Sequence, residues 1–259
     1  MSITKRPFPD DSQLVLTGER TMPGIPDENY WFQRHVVAYR IACGRGSGRV
    51  ILDAGCGEGY GLAMLRDAGA VRVIGADLDQ QVVEHVRGRY ADDQVVQAVQ
   101  CELMALPLAD GEVDMTVSFQ VIEHLHDIPG YLRSLKRVTR PGGEVLIATP
   151  NRLTFTPASD VPVNPFHTRE FTASELTEEL EAAGLTVSAV LGIHHGVRLR
   201  AVERATRRPF TDLLTITPPD QWSRALRLLV HRVTVDDFRV TADDLDASLD
   251  LLALCRVAS

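Results

Sequence analysis

Residues 50–61 are Val50-Ile51-Leu52-Asp53-Ala54-Gly55-Cys56-Gly57-Glu58-Gly59-Tyr60-Gly61. The apolar start of this stretch is typical of a buried parallel strand, and the strand ends at the carboxylate of Asp53. The alternating glycines that follow let the backbone turn tightly and let a ligand approach without meeting a Cβ atom. A helical pattern, Leu62-Ala63-Met64-Leu65, comes next. The stretch therefore predicts a strand, a ligand-binding loop and a helix.

The chemistry of this loop separates two kinds of cofactor. A dinucleotide fingerprint needs Gly-x-Gly-x-x-Gly, and Tyr60 occupies the place of its third glycine. The carboxylate of Asp53 would also repel a pyrophosphate, whereas it suits a ligand that brings an amino group, such as the methionine part of S-adenosylmethionine. A dehydrogenase is therefore disfavoured. We expect S-adenosylmethionine to contact Asp53 and the loop glycines Gly55, Gly57 and Gly59.

A second acidic residue follows at the spacing that an adenosine requires. Residues 71–77, Val71-Arg72-Val73-Ile74-Gly75-Ala76-Asp77, are typical of the next strand of a β-α-β unit. A carboxylate about 20 residues past the glycine loop can accept hydrogen bonds from both ribose hydroxyls. Asp77 could instead cap a helix that starts near Gln80. Because the glycine loop lies upstream at the right distance, we favour the ribose role for Asp77 and include its neighbour Leu78 in the cofactor site.

With this loop and these acidic residues, the chain resembles the class I S-adenosylmethionine-dependent methyltransferases. The resemblance runs from residue 49 to residue 150 and continues more loosely to the C-terminus. The family's loop after the third strand is similar to Glu102-Leu103-Met104-Ala105-Leu106-Pro107-Leu108-Ala109-Asp110. In that loop an acidic residue and its neighbour's backbone hold the adenine amino group. The resemblance assigns this contact to Glu102 and Leu103, although the family more often has aspartate at the first position.

The resemblance extends through two further strands. The fourth is similar to Val113-Asp114-Met115-Thr116-Val117-Ser118-Phe119-Gln120, with Gln120 expected beside the cofactor, and the fifth is similar to residues 144–150. The implied fold class is α/β: a doubly wound, mostly parallel, seven-stranded Rossmann-like sheet with an antiparallel edge strand, plus an N-terminal lid helix. Ligands bind beyond the carboxyl ends of the strands in such sheets. This rule places one crevice at Asp53, Asp77, Glu102 and residues 120–124.

The whole chain, residues 1–259, is expected to form a single methyltransferase domain. Its expected parts are an N-terminal lid segment (1–48), a cofactor-binding core (49–150), a substrate-side loop with helices (151–232) and a final helix and strand (233–259). Amphipathic residues predict a helix over 28–42. The later patterns predict a proline-rich connection (151–172), a helix (173–183), a strand (185–191), a mainly helical region (197–232) and a last strand (249–255). The resemblance makes that last strand antiparallel and places it near the sheet edge.

Composition limits the partners. The chain of 259 residues is 44% hydrophobic, enough for one sizeable core, and its formal net charge is −8. A phosphate backbone would be repelled on average, so we expect no nucleic-acid partner. We find neither an apolar run long enough for a membrane span nor a signal peptide, and therefore expect a soluble, cytoplasmic protein. The oligomeric state stays open, a homodimer included.

Histidines lie on the acceptor side of the expected crevice. An alcohol is a poor nucleophile until its proton leaves, and a positioned base typically contributes about 10²–10⁴-fold. Histidine suits this task because its unperturbed pKa lies near the operating pH. The candidates for catalysis, placed where the family holds substrate, are Glu123, His124, His167 and His195.

Each candidate also has a structural interpretation. His124 could pack at a helix start against the adenosine pocket, and Glu123 could orient a histidine or stabilise a first helical turn. His167, in the segment Asn164-Pro165-Phe166-His167, could tether its loop. His195 follows the predicted sixth strand beside His194, and the two could form a polar loop pair.

The same four groups raise the question of a metal ion. All of them are ligand types, and some methyltransferases that resemble this chain use Mg²⁺ to hold substrate oxygens. No compact ligand motif such as His-Glu-x-x-His is present in the sequence, and Mg²⁺ generally prefers oxygen ligands to imidazole. We therefore expect no metal site.

Two segments indicate the acceptor. Thr17-Gly18-Glu19-Arg20 and Asn164-Pro165-Phe166-His167 resemble segments of bacterial methyltransferases associated with polysaccharide assembly, including actinobacterial enzymes encoded with genes for methylglucose lipopolysaccharide synthesis. Arg20 and Arg34 could bind a carboxylate, either the cofactor's or that of a glyceric acid unit. We expect an O-methyltransferase that acts on a saccharide hydroxyl, in an oligosaccharide or glycoside precursor of a polysaccharide, with histidine-assisted deprotonation.

Two alternatives remain open at the level of sequence. Methylation of a small phenol, a quinone precursor or a lipid is the runner-up, because the core motifs do not distinguish acceptors. A noncatalytic cofactor-binding partner in a synthesis complex is the alternative from another class. It would bind S-adenosylmethionine without transferring a methyl group to any acceptor.

Overall fold

A central sheet with helices on both faces forms the framework. The computed structural model describes residues 21–258, so the expectations for Arg20 and for the rest of the segment 1–20 lie outside the described residues. The strands are β1 (Val50–Ala54), β2 (Arg72–Asp77), β3 (Val96–Gln100), β4 (Val113–Phe119), β5 (Thr139–Pro150), β6 (Leu185–His195), β7 (Phe238–Thr241) and β8 (Asp250–Val257). Their order across the sheet is β3-β2-β1-β4-β5-β8-β6-β7.

The first five strands form the parallel part of the sheet. β1 lies between β2 and β4, β3 pairs with β2, and β5 pairs with β4, all in parallel. Four of the five residues of β1 and six of the seven of β4 are buried. Strands covered by helices on both faces are expected to be nearly continuous apolar runs, which is the pattern of residues 50–54.

The antiparallel part corrects two sequence-based expectations. The sheet has eight strands among residues 21–258 rather than seven, because the short β7 pairs with β6 and forms the antiparallel edge. β8 is antiparallel as expected, but it lies between β5 and β6 and not near the edge. Leu251, Leu252, Ala253 and Cys255 are all buried, and such a run without polar alternation is typical of a strand covered on both faces.

The helices divide between the two faces. They are α1 (Asn29–Gly46), α2 (Tyr60–Asp67), α3 (Gln80–Arg89), α4 (Ile128–Val138), α5 (Arg152–Phe155), α6 (Ala173–Ala182), α7 (Val197–Thr206), α8 (Phe210–Thr215) and α9 (Arg224–His231). Buried residues of α1, α2, α3, α7, α8 and α9 share one hydrophobic cluster, and those of α4 and α6 share the other. This arrangement is the doubly wound layering that the alternating pattern predicts.

Most of the predicted helices are present. The patterns at 28–42, 173–183 and 197–232 correspond to α1, to α6 and to the series α7–α9. The expected final helix in 233–259 is wrong: the segment before β8 holds β7 and two three-residue 3-10 turns. Thr234 and Asp237 form a capping box around a single turn, and the β-branched residues Val240 and Thr241 then favour a strand.

Strand β6 is longer than predicted, and this changes the setting of two histidines. It continues to His195 because Ile193, His194 and His195 pair with β7. His194 and His195 are therefore the last residues of a strand, and their side chains point to opposite faces. The expectation that they form a loop pair is wrong.

One edge of the sheet gathers the polar ends of the strands, and we call it the crevice edge. The carboxyl ends of β1, β2 and β4 lie there, with Asp53 one residue before the end of β1, Asp77 at the end of β2 and Gln120 directly after β4. Antiparallel β8 starts at the same edge, because Asp250 pairs with Pro150. Within residues 21–258, no helix combines the length and the apolarity that crossing a bilayer requires.

Candidate functional site

The glycine loop after β1 has the conformation that its sequence predicts. Gly55 has φ +86°, and a Cβ atom there would lie 2.4 Å from a methyl group of Val121. Gly57 has φ +51°. Positive φ and close approach both favour glycine. The loop consequently presents bare backbone at the crevice edge.

Asp77 orients this loop and does not cap α3. One of its carboxylate oxygens accepts a hydrogen bond from the Gly57 amide and the other accepts one from the Asp79 amide, each at 3.0 Å. Asp79 is the N-cap of α3, since its side chain accepts from the Gln81 amide at 2.9 Å. The capping alternative for Asp77 is therefore wrong. Its half-buried carboxylate retains acceptor capacity for ligand hydroxyls.

Asp53 is a fully buried carboxylate at the end of β1. The Tyr39 hydroxyl donates to it, at 3.0 Å from Oδ2. Burial raises the pKa of Asp53 to about 7; the hydrogen bond from Tyr39 works against this rise, and the nearby charge of Asp77 adds to it. An ammonium group bound beside Asp53 would favour the ionised carboxylate. The amino group of S-adenosylmethionine meets this requirement.

The surroundings of Asp77 fit an adenosine. Leu78 is 64% exposed and Met104 is 38% exposed, so two apolar side chains stand open at the crevice edge. Glu102 is also exposed, whereas Leu103 is buried in the core. Open apolar side chains beside an acceptor-rich loop suit a planar base attached to a ribose. The residues present therefore fit S-adenosylmethionine.

Gln120 and Arg34 meet at Asp250. The Arg34 guanidinium donates to both carboxylate oxygens of Asp250 at 2.6 Å, and Gln120 Nε2 donates to the same carboxylate at 3.2 Å. Both charged groups are almost fully buried. The interpretation of Arg34 as a ligand for a carboxylate of the cofactor or substrate is corrected, because its charge is already balanced inside the protein. Asp250 then holds Gln120 in place.

His195 lies in an environment different from the predicted one. Its Nε2 is 2.6 Å from the Tyr30 hydroxyl and its Nδ1 is 2.8 Å from Glu203 Oε1. The rings of Phe210 and Phe238 pack around it. Because both ring nitrogens are held, one by the buried Tyr30 of α1 and the other by the half-buried Glu203 of α7, we correct its expected catalytic role to a structural one that docks α1 on the sheet.

The other three catalytic candidates come together. One ligand atom from each of Glu123, His124 and His167 lies within 4.8 Å of the others. Glu123 and His124 belong to a 3-10 turn just after β4, and His167 belongs to the segment after α5. Thr168 joins the two segments, since its amide donates to the Glu123 carbonyl at 2.7 Å. We call these three residues the histidine–glutamate cluster.

Hydrogen bonds fix the orientation of the cluster. His124 Nδ1 is 3.1 Å from the Phe166 carbonyl and His167 Nδ1 is 2.7 Å from Glu170 Oε1. Because a carbonyl only accepts, the proton of neutral His124 is assigned to Nδ1, which leaves the lone pair on Nε2. The same assignment holds for His167, whose Nε2 is 3.0 Å from the amide nitrogen of Asn164. The Thr149 hydroxyl donates to Glu123 Oε2 at 2.9 Å.

Three residues at the site were not predicted. Glu170 accepts a hydrogen bond from His167, which lies three positions before it in the chain. Asp250 accepts hydrogen bonds from Arg34 and Gln120, and Asp53 accepts one from the Tyr39 hydroxyl. The sequence did indicate Asp250, because it is a carboxylate directly before the apolar run of β8. No sequence pattern indicates the contact between Tyr39 and Asp53, since that contact depends on how α1 crosses β1.

Comparison with known proteins identifies the family. Residues 52–147 match the family model described as a methyltransferase domain. The chain is 46% identical over 255 residues to a Mycolicibacterium smegmatis protein named a probable S-adenosylmethionine-dependent methyltransferase, and the match covers 94% of this chain and 95% of the relative. The chain belongs to the class I S-adenosylmethionine-dependent methyltransferases. S-adenosylmethionine is accordingly its cofactor.

Two further matches compare this methyltransferase with a curated relative and with a solved structure. A malonyl-[acyl-carrier protein] O-methyltransferase of Serratia marcescens is 38% identical over 140 residues, which cover 54% of this chain and 53% of that protein. The solved S-adenosylmethionine-dependent methyltransferase of Mesorhizobium loti superimposes with a TM-score of 0.59 at 17% identity, and covers 88% of this chain and 99% of that one. The second match supports the fold of the methyltransferase.

Proposed function

We propose that this methyltransferase transfers the methyl group of S-adenosylmethionine to a hydroxyl oxygen of a saccharide. The observation that carries the hydroxyl acceptor is the histidine–glutamate cluster, Glu123, His124 and His167, which follows the ends of β4 and β5 at the crevice edge. The saccharide rests in addition on the resemblance of residues 164–167 to enzymes of polysaccharide assembly. The cofactor would be held by Asp53, Gly55, Gly57, Gly59, Asp77, Leu78, Glu102, Leu103 and Gln120.

The cluster supplies what a hydroxyl acceptor needs. S-adenosylmethionine brings an electrophilic methyl group, and holding both reactants in line contributes much of the acceleration. Once the Asn164 amide has turned aside from it, the imidazole Nε2 of His167 receives the hydroxyl proton, and the carboxylate of Glu170 at Nδ1 stabilises the imidazolium that forms. The oxygen then attacks the methyl carbon. General-base assistance of this kind contributes about 10²–10⁴-fold.

A carboxylate acceptor is disfavoured by the same cluster. The relative from Serratia marcescens is named for O-methylation of a malonyl group on an acyl carrier protein. A carboxylate is already ionised at neutral pH and needs no base. The buried Glu123 and Glu170 would moreover repel it. An uncharged hydroxyl avoids both difficulties.

One observation favours the runner-up acceptors. The polar side chains of the segment 151–172 bind within the protein: Arg152 pairs with Asp160 and Glu175, and the Thr154 hydroxyl donates to the Ser248 carbonyl. The large hydrophobic side chains that this segment exposes are Leu153, Val161, Val163 and Phe166. An acceptor with an apolar part, such as a phenol, a quinone precursor or a lipid, would pack against them. A saccharide would also pack against the ring of Phe166, because one face of a sugar ring carries apolar C–H groups.

Transfer of labelled methyl to matched acceptors tests the proposal. The acceptors are methyl glucoside, glucosylglycerate, octyl glucoside, octanol, phenol and malonate, with His167→Gln as the control enzyme. Alkali-stable label on the glycosides, lost in the control, is the expected result. Faster methylation of octyl glucoside than of methyl glucoside would indicate that an apolar subsite lies beside the saccharide site. Label on octanol or phenol alone would contradict the saccharide acceptor, and alkali-labile label on malonate would contradict the hydroxyl. Cofactor binding without transfer to any acceptor would favour the noncatalytic partner.

A further inference from the structure

We propose that Glu123, His124 and His167 bind a divalent first-row transition-metal ion. The proposal replaces the expectation of no metal site. Only the catalytic use of the ion rests on the proposed function; the binding itself does not. The two statements can therefore fail separately.

The ligand atoms of the cluster are near enough for small side-chain shifts to form a coordination sphere. The candidate ligand atoms lie within 4.8 Å of one another. Since metal–nitrogen and metal–oxygen bonds are about 2.0–2.2 Å long, neighbouring ligands of one ion stand roughly 3 Å apart, and shifts of about 1 Å per side chain close the difference. The Asn164 amide, 3.0 Å from His167 Nε2, turns aside when the ion enters.

The hydrogen bonds behind the ligands are those of a metal site. A metal-bound histidine normally donates its other ring N–H to a carboxylate or a backbone carbonyl, which fixes the tautomer and the ring orientation. His167 has Glu170 in that position, and His124 has the Phe166 carbonyl. Thr149 holds one oxygen of Glu123. All three candidate ligands thus have an outer-shell partner.

Charge and ligand type select the class of ion. Glu123 in the cluster and Glu170 behind it are both buried carboxylates, and together they balance a double positive charge. Two imidazoles and one carboxylate form the ligand set that suits divalent iron and its first-row neighbours, and it leaves coordination positions open. Mg²⁺ prefers an all-oxygen set. We therefore assign the site to a transition ion.

The open positions give the ion a use in the proposed reaction. A hydroxyl oxygen bound to the ion becomes more acidic, because the metal acts as a Lewis acid. With the ion bound, the Nε2 of His167 is a ligand and no longer acts as the base of the metal-free reaction, so the proton leaves to solvent. The oxygen forms its bond to the methyl carbon as the carbon–sulfur bond breaks. The products are the methyl ether, S-adenosylhomocysteine and one proton.

Cobalt titration of the tag-free full chain tests the binding directly. After the protein has been stripped with a chelator and desalted, Co²⁺ is added and its visible d–d absorption is recorded, with equilibrium dialysis of Zn²⁺ as a second readout. We expect one ion per chain. His124→Gln and His167→Gln should weaken Co²⁺ binding at least tenfold, and circular dichroism checks that both variants fold. His126→Gln is the matched control, because His126 is exposed and only two residues from His124.

Three outcomes would overturn the metal site. They are the absence of a stoichiometric ion, binding that survives in both cluster variants, and equal loss of binding in His126→Gln. Activity separates the two proposals. Unchanged methyl transfer by the stripped enzyme in chelator would refute the catalytic ion and leave the proposed function standing. Tight Co²⁺ binding by a chain that methylates no acceptor would support the metal site and refute the proposed function.

Discussion

At the residue scale, the buried carboxylate of Asp53 makes cofactor affinity depend on pH. Its pKa is raised to about 7 by burial. Asp53 must ionise to hold an ammonium group, so we expect the Kd for S-adenosylmethionine to rise about tenfold for each pH unit below 7 and to level off above it. Calorimetry between pH 5 and 8 measures this.

Two variants check the assignment to Asp53. Asp53→Asn should bind the cofactor more weakly and lose the slope, whereas Asp67→Asn, at an exposed carboxylate, should keep it. An unchanged slope in Asp53→Asn would assign the proton to another group.

The raised pKa of Asp53 has the opposite effect on the stability of the cofactor-free protein, which falls as the pH rises. Its stabilising contribution is complete below the ordinary value of 3.8 and is lost as the pH rises through about 7.

Asp77 and Asp79 separate cofactor binding from helix capping. A hydrogen bond to a charged group contributes about 1.5–3 kcal/mol, so Asp77→Ala should weaken S-adenosylmethionine binding roughly 100-fold. Asp79→Ala removes the N-cap of α3. It should cost about 1 kcal/mol of unfolding free energy and leave the Kd nearly unchanged. Equilibrium dialysis and urea unfolding of both variants give the comparison. Equal cofactor loss in the two would contradict the ribose role.

Residues of the candidate site could be proposed from the sequence only where a local pattern points to them. Asp53, Asp77 and the glycines follow from one strand–loop–helix spacing, and Glu123, His124 and His167 from two segments that the parallel sheet brings together. Arg34 and His195 were misjudged because their partners, Asp250 and Tyr30, are 216 and 165 residues away in the chain. Local patterns do not report such contacts.

At the element scale, α1 is held on the sheet by a chain of hydrogen-bonded side chains. Tyr30 meets His195, and His195 meets Glu203 of α7. Burial works to raise the pKa of Glu203, but hydrogen bonds from His195 and from the Phe210 amide bring it below its ordinary value. These hydrogen bonds therefore join an ionised carboxylate to a buried tyrosine across three elements.

A double-mutant cycle measures this docking. Tyr30→Phe leaves the Nε2 of His195 buried without the tyrosine hydroxyl, which should cost about 1–3 kcal/mol of unfolding free energy. His195→Gln should cost a similar amount, and the double variant should show a coupling of at least about 0.5 kcal/mol. Urea unfolding provides the values. Strictly additive effects would show that the 2.6 Å contact contributes no coupling energy.

The elements themselves were largely predictable, and the exceptions have physical causes. Continuous apolar runs and helical periodicity locate β1, β2, β4 and α6. β7 was not predicted, because a strand of four residues is too short to show a recognisable alternation of apolar and polar residues. The position of β8 inside the sheet was not drawn from its run of buried residues, although that run is the signal of a strand covered on both faces.

At the scale of the whole molecule, cofactor binding should stabilise the fold. A ligand that binds only the native state adds about 2.7 kcal/mol at a concentration of 100 times its Kd. For a protein of this size, that corresponds to a rise in Tm of roughly 5–10 °C. Differential scanning fluorimetry with S-adenosylmethionine measures the rise. Asp77→Ala at the same cofactor concentration should lose most of this rise, and a full shift in that variant would contradict the site.

In the proposed reaction, the acceptor hydroxyl is activated at Glu123, His124 and His167. The most direct test measures methyl transfer and S-adenosylmethionine binding side by side in His167→Gln, with His126→Gln as the control. We predict an unchanged Kd for the cofactor and a kcat lower by about 10²–10⁴-fold in His167→Gln, with both values kept in the control. A kcat for His167→Gln equal to that of the unmodified enzyme would contradict the account.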